Sequence, residues 1–231
     1  DNDPRELYEL RTYSFDSTEQ RDRFAHFIAA AAIPAMNRAG IERIGAFLED
    51  EAVNLRVLIP HTTADSYLAL QAKLDADSDF QREGAEILQA PAASPAYSRI
   101  QTSLFRAFTA MPKLEVPTRA PSRVLQLRIY ESPSVATGQK KIEMFNTGEI
   151  AIFRKTGLHP VFFGQAIAGD KMPNLTYMLA FEDEAELKAN WNKFRVDPDW
   201  ERLKSIPEYA DAKILSGITN ILLKPAAGSQ I

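Results

Sequence analysis

The residues best suited to chemistry in this chain form two Arg-Tyr pairs at i, i+2 spacing. Arg11 and Tyr13 lie in Leu10-Arg11-Thr12-Tyr13, and Arg128 and Tyr130 in Leu127-Arg128-Ile129-Tyr130. Residues two apart on a strand share a face, so each pair sets a guanidinium beside a phenol. A guanidinium stays charged and offers a planar fork of donors, while a phenol adds a neutral donor, a combination suited to a small anionic or carbonyl-bearing ligand. An unpaired guanidinium is costly to bury, so a structural ion pair with a carboxylate is the competing reading of each arginine. Three histidines complete the candidates. His26 lies off the apolar stripe of a helical stretch and reads as a surface residue. His61 aligns with Phe181 and reads as packing with a satisfied ring nitrogen. His159, which precedes Pro160, is kept as a further binding or haem-ligand candidate. None has a second His or Cys at ligand spacing, and the chain has no cysteine, so neither a metal nor a cofactor is expected. The acidic group Asp197, Asp199 and Glu201 fits a helix N-terminus better than a metal site. No GxSxG, HExxH or Gly-rich phosphate loop occurs, and the abundant helix-surface carboxylates nominate no acid/base pair.

The elements that must position these residues occur twice. Leu10-Arg11-Thr12-Tyr13 recurs 117 positions later, as does Arg38-Ala39-Gly40-Ile41 in the form Lys155-Thr156-Gly157-Leu158. Asn54 to Ile59 and Asp77 to Phe80 recur 120 positions later, at Asn174 to Leu179 and Asp197 to Trp200. Such self-similarity marks a tandem duplication. Each copy reads as strand, helix, strand, strand, helices, strand: Leu7 to Phe15 alternates as a strand, and Phe24, Phe27, Ile28, Ala31 and Ala32 form a helical stripe ending at Gly40, with a kink expected at Pro34. The fold expected is α+β, two tandem ferredoxin-like repeats whose antiparallel sheets face each other as an intrachain dimeric α/β barrel. Residues 6–108 and 123–225 are the expected domains, joined by a Pro-rich linker over 109–122. On the first strand, Tyr8, Leu10 and Thr12 are expected under the helices, which sends Arg11, Tyr13, Arg128 and Tyr130 into a cavity between the sheets.

Composition narrows the function. With 45% hydrophobic and 25% charged residues, the 231-residue chain has an ordinary globular make-up. A formal charge of −4 carries no basic footprint for nucleic acid. No apolar run approaches the roughly 20 residues of a membrane span. The start at Asp1 without Met is read as a processed export signal, or equally as a chain shortened in some other way, giving a periplasmic or secreted location as the expectation and a cytoplasmic one as the alternative.

Tyr8-Glu9-Leu10-Arg11-Thr12-Tyr13, the helix ending in Arg38-Ala39-Gly40-Ile41, and Trp191-Asn192-Lys193-Phe194 leading into Asp197-Pro198-Asp199-Trp200 resemble the NIPSNAP family. The resemblance covers both copies and implies two domains of the dimeric α/β-barrel superfamily, an internal pseudo-dimer open to further self-association. The first copy departs from the pattern, with Leu70-Gln71 near the position of Trp191 and Phe80 for Trp200, so any function of those tryptophans is confined to the second half. The family offers no agreed catalytic residues, and its eukaryotic members are linked to mitochondria and trafficking. The resemblance therefore implies a small-ligand binding or interaction module. The alternative is an oxidative enzyme, cofactor-free or haem-dependent, because the superfamily includes monooxygenases and haem proteins.

Overall fold

The computed structural model describes residues 3–231; Asp1 and Asn2, from which the processed-terminus reading starts, lie outside the described residues. The chain forms two compact units. The first holds β1 (Leu7–Ser14), α1 (Thr18–Phe27), α2 (Ile33–Arg38), β2 (Gly45–Glu49), β3 (Asn54–His61), α3 (Ala64–Ala76), α4 (Ser78–Glu83) and α5 (Ala85–Leu88). The second holds β5 (Val124–Glu131), α6 (Val135–Met144), α7 (Ile150–Thr156), β6 (His159–Ala168), β7 (Asn174–Phe181), α8 (Glu184–Arg195), α9 (Pro198–Lys204) and α10 (Asp211–Ile214). The long strands β4 (Arg99–Ala107) and β8 (Gly217–Pro225) are divided between the units.

Each unit draws residues from both sides of the segment over 109–122. In the first unit β3 lies between β1 and β2, and β2 pairs with Leu223–Pro225 at the end of β8. In the second, β7 lies between β5 and β6, and β6 pairs with Leu104–Ala107 at the end of β4. Each unit thus receives strand residues from the other sequence copy, and all these ladders are antiparallel. The segment over 109–122 is also more than a spacer. Met111 and Leu114 are buried, the Leu114 amide donates to Glu6, and the Glu115 amide donates to the Val161 carbonyl. Its prolines prevent regular structure without preventing burial.

Local chemistry explains the helices. Ser17, Thr63, Asp77, Asp183 and Asp197 each cap a helix by accepting a first-turn amide, and Ser134 with Thr137 forms a reciprocal capping box. Asp197 is thus a cap, and Asp199 and Glu201 occupy the first turn behind it. A five-residue π-helical turn joins α1 to α2 over Ile28–Ala32, and another joins α6 to α7 over Phe145–Glu149. The expected disturbance at Pro34 is therefore real but not proline's doing, because Ala151 stands at the matching place in the second copy.

The strand faces are the reverse of the expectation. Tyr13 packs with Phe24, Phe27 and Leu70 in the helix-covered core of the first unit, and Tyr130 with Phe145, Phe153 and Trp191 in that of the second. Glu9, Arg11 and Tyr13, like Gln126, Arg128 and Tyr130, point under the helices. Tyr8, Leu10, Leu125 and Leu127 are on the opposite face and just as buried. With both faces buried, alternation of apolar residues no longer tells which one the helices cover.

Candidate functional site

Both Arg-Tyr pairs form as the spacing requires, each under the helices of its own unit and not in a cavity between sheets. Arg11 Nη1 lies 3.3 Å from the Tyr13 hydroxyl, and Arg128 Nη2 lies 3.2 Å from that of Tyr130. Beyond this the copies diverge. In the first unit Arg11 forms a close ion pair with Glu9, whose other carboxylate oxygen lies 3.0 Å from His61 Nε2; His61 Nδ1 in turn lies 2.9 Å from Ser66 Oγ on α3. Burial would raise the Glu9 carboxyl, but the His61 hydrogen bond and the Arg11 charge overcome it and hold the group below its usual range. Arg11 is the structural arginine of the two readings, its charge met by a carboxylate fixed on the same strand face.

In the second unit that carboxylate is gone. Gln126 stands where Glu9 stands, accepting from Trp191 Nε1 at 2.7 Å and donating to Asn220 at 2.9 Å. Among the described residues no carboxylate lies within ion-pair distance of Arg128. Its guanidinium sits 5.0 Å from the Trp191 ring and 5.5 Å from that of Tyr130, and its Nε is buried without a hydrogen-bond partner. Cation–π contact supplies part of the lost stabilisation. An unmet buried donor still costs about 1–3 kcal/mol.

Around Arg128 the second unit has ionisable or phenolic residues at three positions that are apolar in the first. Tyr130 and Tyr177 share a hydrogen bond of 2.9 Å; Tyr177 is fully buried, which pushes its phenol well above the usual range, with Tyr130 beside it acting in the same direction, so it stays neutral. Lys141 on α6 and Glu149 at the end of the π-helical turn form a buried ion pair of 3.3 Å. The Lys141 ammonium also lies 5.0 Å from the Phe145 ring and 5.6 Å from the Tyr130 ring. Burial raises the Glu149 carboxyl, and the Lys141 charge only partly offsets it. A widened helical turn places Glu149 inward; such turns recur at functional sites. At the corresponding positions the first copy has Phe24 for Lys141, Ala32 for Glu149, Val57 for Tyr177 and Gln71 for Trp191.

The histidines divide. His61 is buried with both ring nitrogens engaged, and His26 is exposed on α1. His159 is half-exposed at the start of β6, with Glu186 at 3.4 Å. Among the described residues no three His, Asp or Glu side chains are grouped to hold a metal ion, and no helix is long and apolar enough to cross a membrane. Sequence reasoning named Arg128 and Tyr130 and did not name Lys141, Glu149 or Tyr177, which the structure brings beside them. The signal available was the alignment of the copies, where apolar residues in one face ionisable or phenolic residues in the other.

The sheet-and-helix units place the chain among α+β proteins, and its second half is assigned more closely. Residues 125–230 match the NIPSNAP family model. The match covers the copy with the Arg128 cluster and not the first copy. Among solved structures the chain is similar to a candidate monooxygenase from Lactobacillus acidophilus, with a TM-score of 0.61, 12% identity, and coverage of 96% of this chain and 94% of that one. A candidate monooxygenase from Fusobacterium nucleatum gives 0.63 at 8% identity, covering 96% and 92%. An anthrone oxidase-like protein gives 0.54 at 8% identity, covering 98% and 95%. At such identities these likenesses concern the fold alone. No curated protein matches the chain.

Proposed function

We propose that the protein binds a small anionic, carboxylate- or carbonyl-bearing molecule at the Arg128 cluster of its NIPSNAP half. The observation that carries this reading is the lack of any carboxylate on Arg128, combined with its partnerless buried Nε and the ion-paired state of its counterpart Arg11. Arg128 is the charge partner, the hydrogen-bonded Tyr130–Tyr177 pair has one phenol proton left to donate, and Trp191 is the flat wall. His159 does not join the reading, since its nearest charged partner is Glu186. Calorimetric titration with acetate, 2-oxo acids and inorganic phosphate tests it. Binding of one such anion by the wild type and its loss in Arg128→Met support the reading; equal binding by both refutes it. A cofactor-free oxidative activity is the second reading. It is supported by the fold shared with the candidate monooxygenases and by Glu149, a buried carboxyl with a raised proton affinity beside the phenols. Oxygen uptake with an anthrone-type substrate, abolished in Glu149→Gln, tests that alternative.

A further inference from the structure

The first unit contains a hydrogen-bonded chain that the ligand reading does not use. Ser66 Oγ lies 2.9 Å from His61 Nδ1, and His61 Nε2 lies 3.0 Å from Glu9 Oε1. Serine, histidine and carboxylate linked in this order is the constellation of a nucleophilic hydrolase, here with the two ring nitrogens in exchanged roles, Nδ1 toward the serine and Nε2 toward the carboxylate. The three residues come from three elements, β1, β3 and the first turn of α3.

We propose that Ser66, His61 and Glu9 form a nucleophilic site that cleaves small uncharged carboxylic esters. Glu9 is fixed as a carboxylate by Arg11 on its second oxygen and can only accept. The proton it accepts is therefore on Nε2, which leaves Nδ1 as the basic nitrogen facing the serine hydroxyl. His61 is wholly buried and unable to swing away, whereas Ser66 is half-buried. A half-covered nucleophile favours a small acyl group. Ser66 sits in the first turn of a 13-residue helix, its own amide held by the Thr63 cap. The positive end of that helix favours the oxyanion that forms on attack.

The step balances without a further reactant. Ser66 Oγ forms a bond to the ester carbonyl carbon, its proton passes to His61 Nδ1, and the carbon–oxygen bond to the leaving alcohol breaks as the alkoxide takes that proton. Water, deprotonated by the same nitrogen, then releases the acid and restores the serine. The second copy has Gln126, Phe181 and Glu186 at the three corresponding positions, so the site belongs to the first unit alone.

A fluorophosphonate probe and 4-nitrophenyl acetate test the proposal on the full chain. Intact mass should show one phosphonyl adduct, mapped to Ser66 by peptide analysis, and Ser66→Ala should lose both the adduct and ester turnover while keeping the wild-type circular dichroism spectrum. His61→Gln should slow labelling about 10²–10⁴-fold, the range of general-base catalysis. If that buried substitution unfolds the protein, Glu9→Gln provides the second test, since it weakens the hold on the Nε2 proton and should slow labelling without removing the base. No adduct on the wild type under conditions that saturate a serine esterase control, or ester turnover unchanged in Ser66→Ala, overturns it. Arg128→Met should leave labelling intact, so failure here is distinct from failure of the anion site.

Discussion

Replacing each arginine in turn by methionine separates a structural guanidinium from a binding one, because the two copies leave different groups behind. In Arg11→Met the Glu9 carboxylate, with a side chain 3% exposed, loses its ion-pair partner and keeps only His61. Breaking a buried pair costs about 3–5 kcal/mol. The Arg11 side chain is 25% exposed and the His61 bond survives, so about 2 kcal/mol is the fitting figure here. For a chain of this size that lowers the melting temperature by about 4–8 °C. In Arg128→Met no carboxylate is stranded. The lost hydrogen bond to Tyr130 and the stacking on Trp191 amount to about 2–3 kcal/mol, against about 1–3 kcal/mol recovered by removing an unmet buried donor. The balance lies between about 1 kcal/mol gained and about 2 kcal/mol lost, centred near a small loss. Differential scanning calorimetry of both variants, with titration of the anions that the wild type binds, gives the answer. A large drop for Arg128→Met with binding retained, or a neutral Arg11→Met, refutes the assignment of roles.

Other consequences follow from particular contacts. Gly157 ends α7 at φ +83°, and an added Cβ would meet Asn190 Nδ2 at 2.6 Å; Gly40 has φ +90° with open space around it. Gly40→Ala should therefore cost only the left-handed conformation, about 1–2 kcal/mol, and Gly157→Ala measurably more, read by urea denaturation. Glu149 binds a proton more tightly folded than unfolded, so between the unfolded carboxyl value of about 4.3 and the raised folded value its contribution to stability falls as pH rises. Glu149→Gln should flatten that fall in a series of melts against pH, and an unchanged profile would contradict the buried assignment. Glu9 has the opposite sign: its contribution is present above the unfolded value and is lost as pH drops through the lowered folded value, so Glu9→Gln should soften acid unfolding. Tyr177→Phe removes one phenol from a bond shared with Tyr130 inside a full core and should cost about 1 kcal/mol by chemical denaturation.

The order of strands and helices and the helix N-terminus at Asp197 were legible because each depends on neighbours along the chain. The face of the first strand was not. Arg11 and Arg128 would ordinarily mark the wetter side, yet here the polar residues face the helices and are satisfied by partners distant in sequence, His61 for Glu9 and Trp191 for Gln126. The unit boundaries were hidden for a similar reason. Nothing local in Leu104 to Ala107 or Leu223 to Pro225 states that these strand ends pair with β6 and β2, because that choice is made by long-range ladders.

The differences between the two units show what the cluster around Arg128 requires. A lone β-unit that exchanged Phe24, Ala32 and Val57 for Lys, Glu and Tyr would bury charge inside its main apolar core, a cost that a marginally stable domain does not readily absorb. The first unit has apolar side chains at these positions and a carboxylate on its arginine, and the second has the Lys141–Glu149 pair and the Tyr130–Tyr177 phenols. Changing Glu9 to Gln126 is then the decisive single difference, since it frees a guanidinium whose location is already fixed by the strand. Restoring the acid makes the argument testable in reverse. Gln126→Glu should place a carboxylate beside Arg128, fill the role of a bound anion, and raise the melting temperature of the free protein while abolishing anion binding. If anions still bind with unchanged affinity, the freed arginine is not what the second copy was altered to provide.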